Sequence, residues 1–180
     1  MILNAIISLN GSALDLNRVL TEPDLATEMA KLIVGRPGLS LCHSGKFIVD
    51  YNLSLSKMIE ASNYHCYHGG IVKEFSPKGS GRHEVELVMV ELDGRFTTSE
   101  ILRYMHRKGL VPAKIEHLLV YNTPYTQSNN THSIMALGSV CTSGHCPYIR
   151  IENGKRGLSL CYNSDNCEWP DNNIFLAVKK

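Results

Sequence analysis

Read by its apolar and polar positions, the chain changes character near residue 40. In the first part, Ile2 to Leu9 has the content of a strand and Asn10-Gly11 that of a turn. Pro23 suits the first turn of a helix on which Leu25, Met29, Leu32 and Ile33 share one face. Gly35-Arg36-Pro37-Gly38 stops that helix. This pattern predicts an N-terminal extension over 1–40, strand plus helix, packed on a main domain over 46–180.

From Lys46 the pattern is regular. Lys46 to Asn52 alternates as a strand, and Ser54 or Ser56 can cap a short helix carrying Met58 and Ile59. Phe75 to Arg82 reads as a loop from its Pro, Ser and Gly content. In His83 to Leu92, Val85, Leu87 and Met89 point one way, while Glu84, Glu86, Val88 and Val90 point the other. Apolar residues on both faces place that strand inside a sheet. Thr97-Thr98-Ser99-Glu100 before Ile101, Leu102 and Met105 is a helix entry in which a hydroxyl satisfies an orphan amide, and Gly109 suits the left-handed position that ends the helix. Pro112-Ala113 predicts a further helix start, with Ile115, Leu118 and Leu119 at core spacing. Four short strands then follow: Ser133 to Cys141, Tyr148 to Ile151, Leu158 to Tyr162 and Ile174 to Val178. The order predicts an α+β fold: a mixed, mainly antiparallel sheet, a central pair of helices, and a β-rich C-terminal part.

Composition supports a single well-filled core, since 43% of the 180 residues are hydrophobic. Charge excludes a strongly steered partner: 18 Lys and Arg against 17 Asp and Glu leave a net +1, with no broad basic field for nucleic acid or anionic lipid. The apolar run Ile2 to Leu9 is broken by Asn4 and Ser8, has no basic stretch before it, and is far short of a bilayer span. The expectation is a cytoplasmic protein, without membrane insertion, whose six cysteines are reduced thiols.

The candidate chemistry lies in Cys and His groups. His65, Cys66 and His68 form one, Cys141, His145 and Cys146 a second, and Cys161 with Cys167 a third. Thiolate and imidazole are the ligands zinc prefers, so a zinc-binding protein is one reading. None of the groups has Cys-x2-Cys spacing, and His145 and Cys146 would aim to opposite sides of a strand; small buried hydrophobes account for the cysteines equally well. A cysteine nucleophile with a neighbouring His base lacks a recognisable elbow or oxyanion site. A second reading is a helix-turn-helix over 97–120, with Arg103, Arg107, Lys108 and Lys114 on phosphates, set against the plainer account of a solvated helix face. The glycines at Gly69-Gly70 and Gly79-x-Gly81 lack the context of a phosphate-binding loop.

From Phe47 onward the chain resembles a family of uncharacterised bacterial and phage-associated proteins. The resemblance rests on Phe47-Ile48-Val49-Asp50-Tyr51, on Lys108-Gly109-Leu110-Val111-Pro112-Ala113 with Ile115-Glu116-His117-Leu118-Leu119, on Ile134 to Val140, on Arg156-Gly157-Leu158-Ser159-Leu160, and on the closing Phe175-Leu176-Ala177-Val178. It implies no activity. It does imply packing roles for Cys66, Cys141 and Cys161, where the family carries aromatic or aliphatic residues. The segment from the Pro112 helix to the last strand is also similar, at fold level, to C-type-lectin-like domains, in which a loop before the final strand binds partners. That loop here is Asn163 to Asn173, with Asp165, Trp169, Asp171 and Asn172 as candidate binding residues. The combined expectation is a non-enzymatic interaction protein of phage or mobile-element type, with another protein as its partner.

Overall fold

The computed structural model describes residues 38–121, 132–152, 155–163 and 168–180. The chain divides into two units, Met1–Gly38 and Leu39–Lys180. The strand and helix expected within 1–37, and Asp165 and Cys167, lie outside the described residues.

The second unit is built on a mixed, mainly antiparallel sheet, as the α+β pattern predicts. Its elements run β1 (Leu39–Asp50), α1 (Leu55–Ala61), β2 (Cys66–Tyr67), α2 (Ile71–Glu74), β3 (Arg82–Leu92), β4 (Phe96–Thr97), α3 (Thr98–Arg107), β5 (Leu110–Pro112), α4 (Ile115–Val120), β6 (His132–Met135), β7 (His145–Glu152), β8 (Lys155–Tyr162), β9 (Glu168–Trp169) and β10 (Asn173–Lys179). The main sheet has the order β1-β3-β10-β6-β7-β8-β2, with β5 on the same edge of β10 as β6, and β4 pairs β9 separately. β10 runs parallel to β6, and β2 parallel to β8; the other pairs are antiparallel.

Two apolar layers lie on opposite faces of this sheet, because strand side chains alternate. Leu87 and Met89 of β3 join Ile174 and Leu176 of β10 and Ile149 of β7 in one layer, which is covered by Met58 and Ile59 of α1 and by Ile115, Leu118 and Leu119 of α4. Val88 and Val90 of β3, with Phe175 and Ala177 of β10, form the other, covered by Ile101 and Met105 of α3 and by Trp169. The interior place of β3, between β1 and β10, is the one its two-sided valine pattern predicts.

Local signals set the helix ends. Ser54 caps α1 by accepting from the Lys57 amide at 3.4 Å. At α3 the Thr97 hydroxyl accepts from the Glu100 amide while the Glu100 carboxylate accepts from the Thr97 amide at 2.8 Å; that amide and the Thr97 hydroxyl, which donates to the same carboxylate at 2.9 Å, hold the Glu100 carboxyl below its ordinary range. Gly109, at φ +69°, follows the helix in the left-handed region.

Three boundaries differ from the sequence pattern. The first strand begins at Leu39, not Lys46, and carries a bulge between Cys42 and Ser44. Pro112 does not start a helix: Leu110–Pro112 is a short strand pairing Lys179, Val178 and Ala177 of β10, and α4 begins only at Ile115. The strand expected over Ser133 to Cys141 leaves the sheet after Met135, since Gly138 turns to donate its amide to the Ala113 carbonyl at 2.8 Å. With β5 between them, α3 and α4 pack on opposite faces of the sheet, so the helix-turn-helix arrangement weighed as an alternative over 97–120 is not formed. Arg103, Arg107, Lys108 and Lys114 are exposed. Among the described residues, no helix is long and apolar enough to cross a membrane.

Candidate functional site

The Cys and His groups of the sequence are dispersed by the fold. His65, Cys66 and His68 sit exposed around β2, at the edge beyond β8, where His68 Nδ1 accepts from the Gly70 amide at 3.2 Å. Cys141 and His145 are joined through Ser143: Cys141 Sγ lies 3.1 Å from Ser143 Oγ, which lies 3.1 Å from His145 Nδ1. Burial works to raise the Cys141 thiol, but hydrogen bonds from the Ser143 hydroxyl and from backbone amides outweigh it and bring the thiol below its ordinary value. Cys141 is only 8% exposed, which shields the sulfur. Cys146 points to the other face, where it is fully buried opposite Cys161 in the β7–β8 register, with the two sulfurs 3.5 Å apart. The contact with the Cys161 thiol, together with burial, pushes the Cys146 thiol up. Among the described residues, no group of three or more His, Cys, Asp or Glu is drawn together to hold a metal ion.

The polar loop before the last strand is also rearranged. Trp169, read from the sequence as an exposed contact residue, is 8% exposed. Its indole Nε1 donates to Thr98 Oγ1 at 2.9 Å, Thr98 Oγ1 donates to Asn163 Oδ1 at 2.7 Å, and its ring meets Phe175 edge-on at 5.4 Å. The ring closes the α3 face of the core, because β9 pairs with β4 at the entrance to that helix. Asp171 and Asn172 are exposed.

The fold instead assembles a polar cluster that the sequence pattern does not single out. Glu116 and His117 lie in α4 between apolar neighbours, and both are buried, at 2% and 8% exposure. His117 Nδ1 accepts from the Lys114 amide at 3.0 Å, so in the neutral ring the proton is on Nε2, 3.4 Å from Tyr51 Oη. Burial, and secondarily the Lys114 charge, push His117 down to about 4. Glu116 Oε1 is buried without a hydrogen-bond partner, and burial raises its carboxyl above the ordinary value. The signal in the sequence was two adjacent ionisable residues inside the apolar run from Ile115 to Val120.

The His117 shift sets a pH dependence. Its folded value lies below the unfolded value near 6.5, so the stabilisation is present above pH 6.5 and is lost as pH falls toward 4. By pH 5 the loss is about 2 kcal/mol. The raised Glu116 carboxyl works in the opposite direction, since its protonated form is favoured in the folded chain. The His117→Asn variant, which keeps an acceptor for the Lys114 amide, should therefore lose less stability than the parent between pH 7 and pH 5. Urea unfolding at the two pH values measures the difference, and equal losses would contradict the shift.

Beside this cluster a groove of about 750 Å³ is lined by Phe47, Ile48 and Asp50 of β1, by Leu53, by Met58 and Ala61 of α1 with Ser62 and Asn63 after it, by Leu119 and Val120, and by Lys46 and Arg156. β1 and β8 stand far apart in the strand order, so the sheet must curl to bring Arg156 of β8 to the same groove as β1. Arg156 is fixed there: Nη2 donates to the Tyr121 carbonyl at 2.6 Å, and the guanidinium carbon lies 5.1 Å over the Tyr64 ring. Lys46 at the rim holds an exposed ion pair with Glu84 at 2.8 Å.

No family model, curated protein or solved structure matches this chain.

Proposed function

We propose that the chain is a binding protein that receives an extended segment of another protein in the groove between β1 and β8. The observation that carries this reading is the groove, with its apolar floor and the fixed guanidinium of Arg156 at its side. Ile48 is 55% exposed and Leu53 36%, so apolar surface at the rim is left for a partner to cover. The Nη2 bond uses one of the five N–H donors of Arg156, and the rest of the fork suits a carboxylate. The ion pair of Lys46 is too exposed to hold that lysine tightly, which leaves it available to the same acidic group. Among the described residues, β1 ends the sheet, and an extended segment laid beside it gains backbone hydrogen bonds. The occupant fitted by these features is a strand-forming peptide with alternate apolar residues and one Asp or Glu.

A random peptide library selected on the purified protein tests this reading. Selected sequences should combine apolar residues with an acidic one. Ile48→Asp removes apolar rim surface and adds a repelling charge, while Ala61→Arg fills the groove. Each should weaken the selected peptides about tenfold or more, the equivalent of about 1.4 kcal/mol. Undiminished binding by both variants would sink the groove as the binding surface.

A further inference from the structure

On the α3 face of the sheet, two thiols stand opposite one another at the end of the β7–β8 pairing remote from Glu152 and Lys155. Register sets them there: Cys146 pairs Cys161 one step in from His145 and Tyr162, and residues directly opposite on antiparallel strands share a face. Such pairs have Cα atoms about 4.5–5.5 Å apart, within the span that a disulfide bridges. The sulfurs are 3.5 Å apart, in contact and unbonded, so joining them needs side-chain rotation and no shift of the strands. Packing as a small hydrophobe accounts for each cysteine singly, but gives no reason for holding one sulfur against the other.

The two thiols are unequal, and the inequality sets an order of reaction. Cys146 is fully buried, so no dissolved reagent reaches it first. Cys161 is partly exposed. The contact with Cys146 outweighs burial and holds the Cys161 thiol below its ordinary value, which favours the nucleophilic thiolate there. An accessible, thiolate-prone cysteine with a second thiol beside it is the arrangement of an attacking and a resolving cysteine.

We propose that Cys146 and Cys161 are a reversible dithiol–disulfide pair, entered at Cys161 by a low-molecular-weight disulfide and closed by Cys146. The Cys161 thiolate attacks one sulfur of the small disulfide, whose S–S bond breaks; one half leaves as a thiolate and takes up the proton that Cys161 lost. Cys146 then gives up its proton and attacks the Cys161 sulfur. The mixed S–S bond breaks, and the second half leaves as a thiol carrying that proton. The two cysteines are together oxidised by two electrons, and the small disulfide is reduced to two thiols. The new bond staples β7 to β8 beside Asn163, whose amide donates to the Gly144 carbonyl at 2.8 Å and whose Oδ1 accepts from Thr98 Oγ1 at 2.7 Å. Oxidation therefore fixes the strand ends that hold the entry of α3.

Incubation of the reduced full chain with oxidised glutathione, then alkylation of the remaining thiols in denaturant and peptide mapping, tests the pair. The parent should yield a Cys146–Cys161 bridge that a dithiol reductant reverses. Cys146→Ala removes the resolving thiol and should trap glutathione on Cys161, at about tenfold or more the parental occupancy. Cys161→Ser should leave Cys146 a free thiol. The oxidised parent should melt about 5 °C or more above the reduced parent, a gap that Cys161→Ser abolishes. If Cys146→Ala fails to fold, the parental bridge and the Cys161→Ser variant still decide. The proposal is overturned if both thiols stay reduced while the exposed Cys66 takes up glutathione, or if Cys161 bridges any other cysteine. It is equally overturned if folded Cys146→Ala carries no glutathione on Cys161, if Cys146 is modified in Cys161→Ser, or if the oxidised parent melts no higher than the reduced one.

Discussion

Trp169→Ala should destabilise the protein by about 3–5 kcal/mol, the range for truncating a large buried aromatic, and lower the melting temperature by roughly 10 °C or more. The cost has two sources. The ring leaves a void against Phe175 and the α3 face, where Ile101 and Met105 are fully buried. Its Nε1 hydrogen bond to Thr98 also disappears, which loosens the link from Thr98 to Asn163. Trp169→Phe separates the two, since it retains most of the burial and should cost only about 1–2 kcal/mol. Thermal and urea unfolding of both variants measure this, and Trp169 is the one tryptophan, so parental fluorescence reports its burial directly. A melting temperature for Trp169→Ala within a degree or two of the parent would show that the ring is not part of the core.

Gly138→Ala should cost about 3 kcal/mol, at the upper end of overpacking effects. An added Cβ would stand 2.7 Å from the Ala113 carbonyl oxygen and closer still to the Pro112 carbonyl oxygen. Both obstacles are backbone, so no side chain can swing away. Relief requires β5 or the start of α4 to move, and with it the Gly138-to-Ala113 hydrogen bond and the Ser139 contact to the Ile115 amide. Gly69→Ala is the natural control, because nothing lies within 4 Å of its added Cβ. Equal unfolding midpoints for the two alanine variants in urea would refute the steric argument.

Glu116 and His117 show why the candidate site was hard to read in advance. At two adjacent positions beside Ile115 and Leu118, helical spacing sends ionisable side chains to solvent, and the charge of each argues the same. Burial came from outside the helix. α4 has only six residues, and the α2 loop, Tyr51 and the Gly138 turn close around it. The same holds for Trp169: a loop rich in Asn and Asp looks solvated until β9 pairs with β4 and carries the indole over Phe175. The loose Cys and His groups were dispersed for the opposite reason. Neighbours in sequence such as His145 and Cys146 fall on different faces of β7, while Cys146 meets Cys161 across a register that spacing does not disclose.

By itself the sequence determined what depends on a few consecutive residues: the α3 entry at Thr97 and Glu100, its exit at Gly109, the interior character of β3, and the α+β class with its strand-rich end. These follow from local hydrogen bonding, left-handed backbone at glycine, and the two-residue period of a strand. Only the tertiary structure decided that Pro112 belongs to a strand edge on β10, that α3 and α4 cover opposite faces, and that the sheet curls until β1 and Arg156 share a groove. Those outcomes rest on pairings between residues tens of positions apart, which no local pattern encodes, and the groove is built from them.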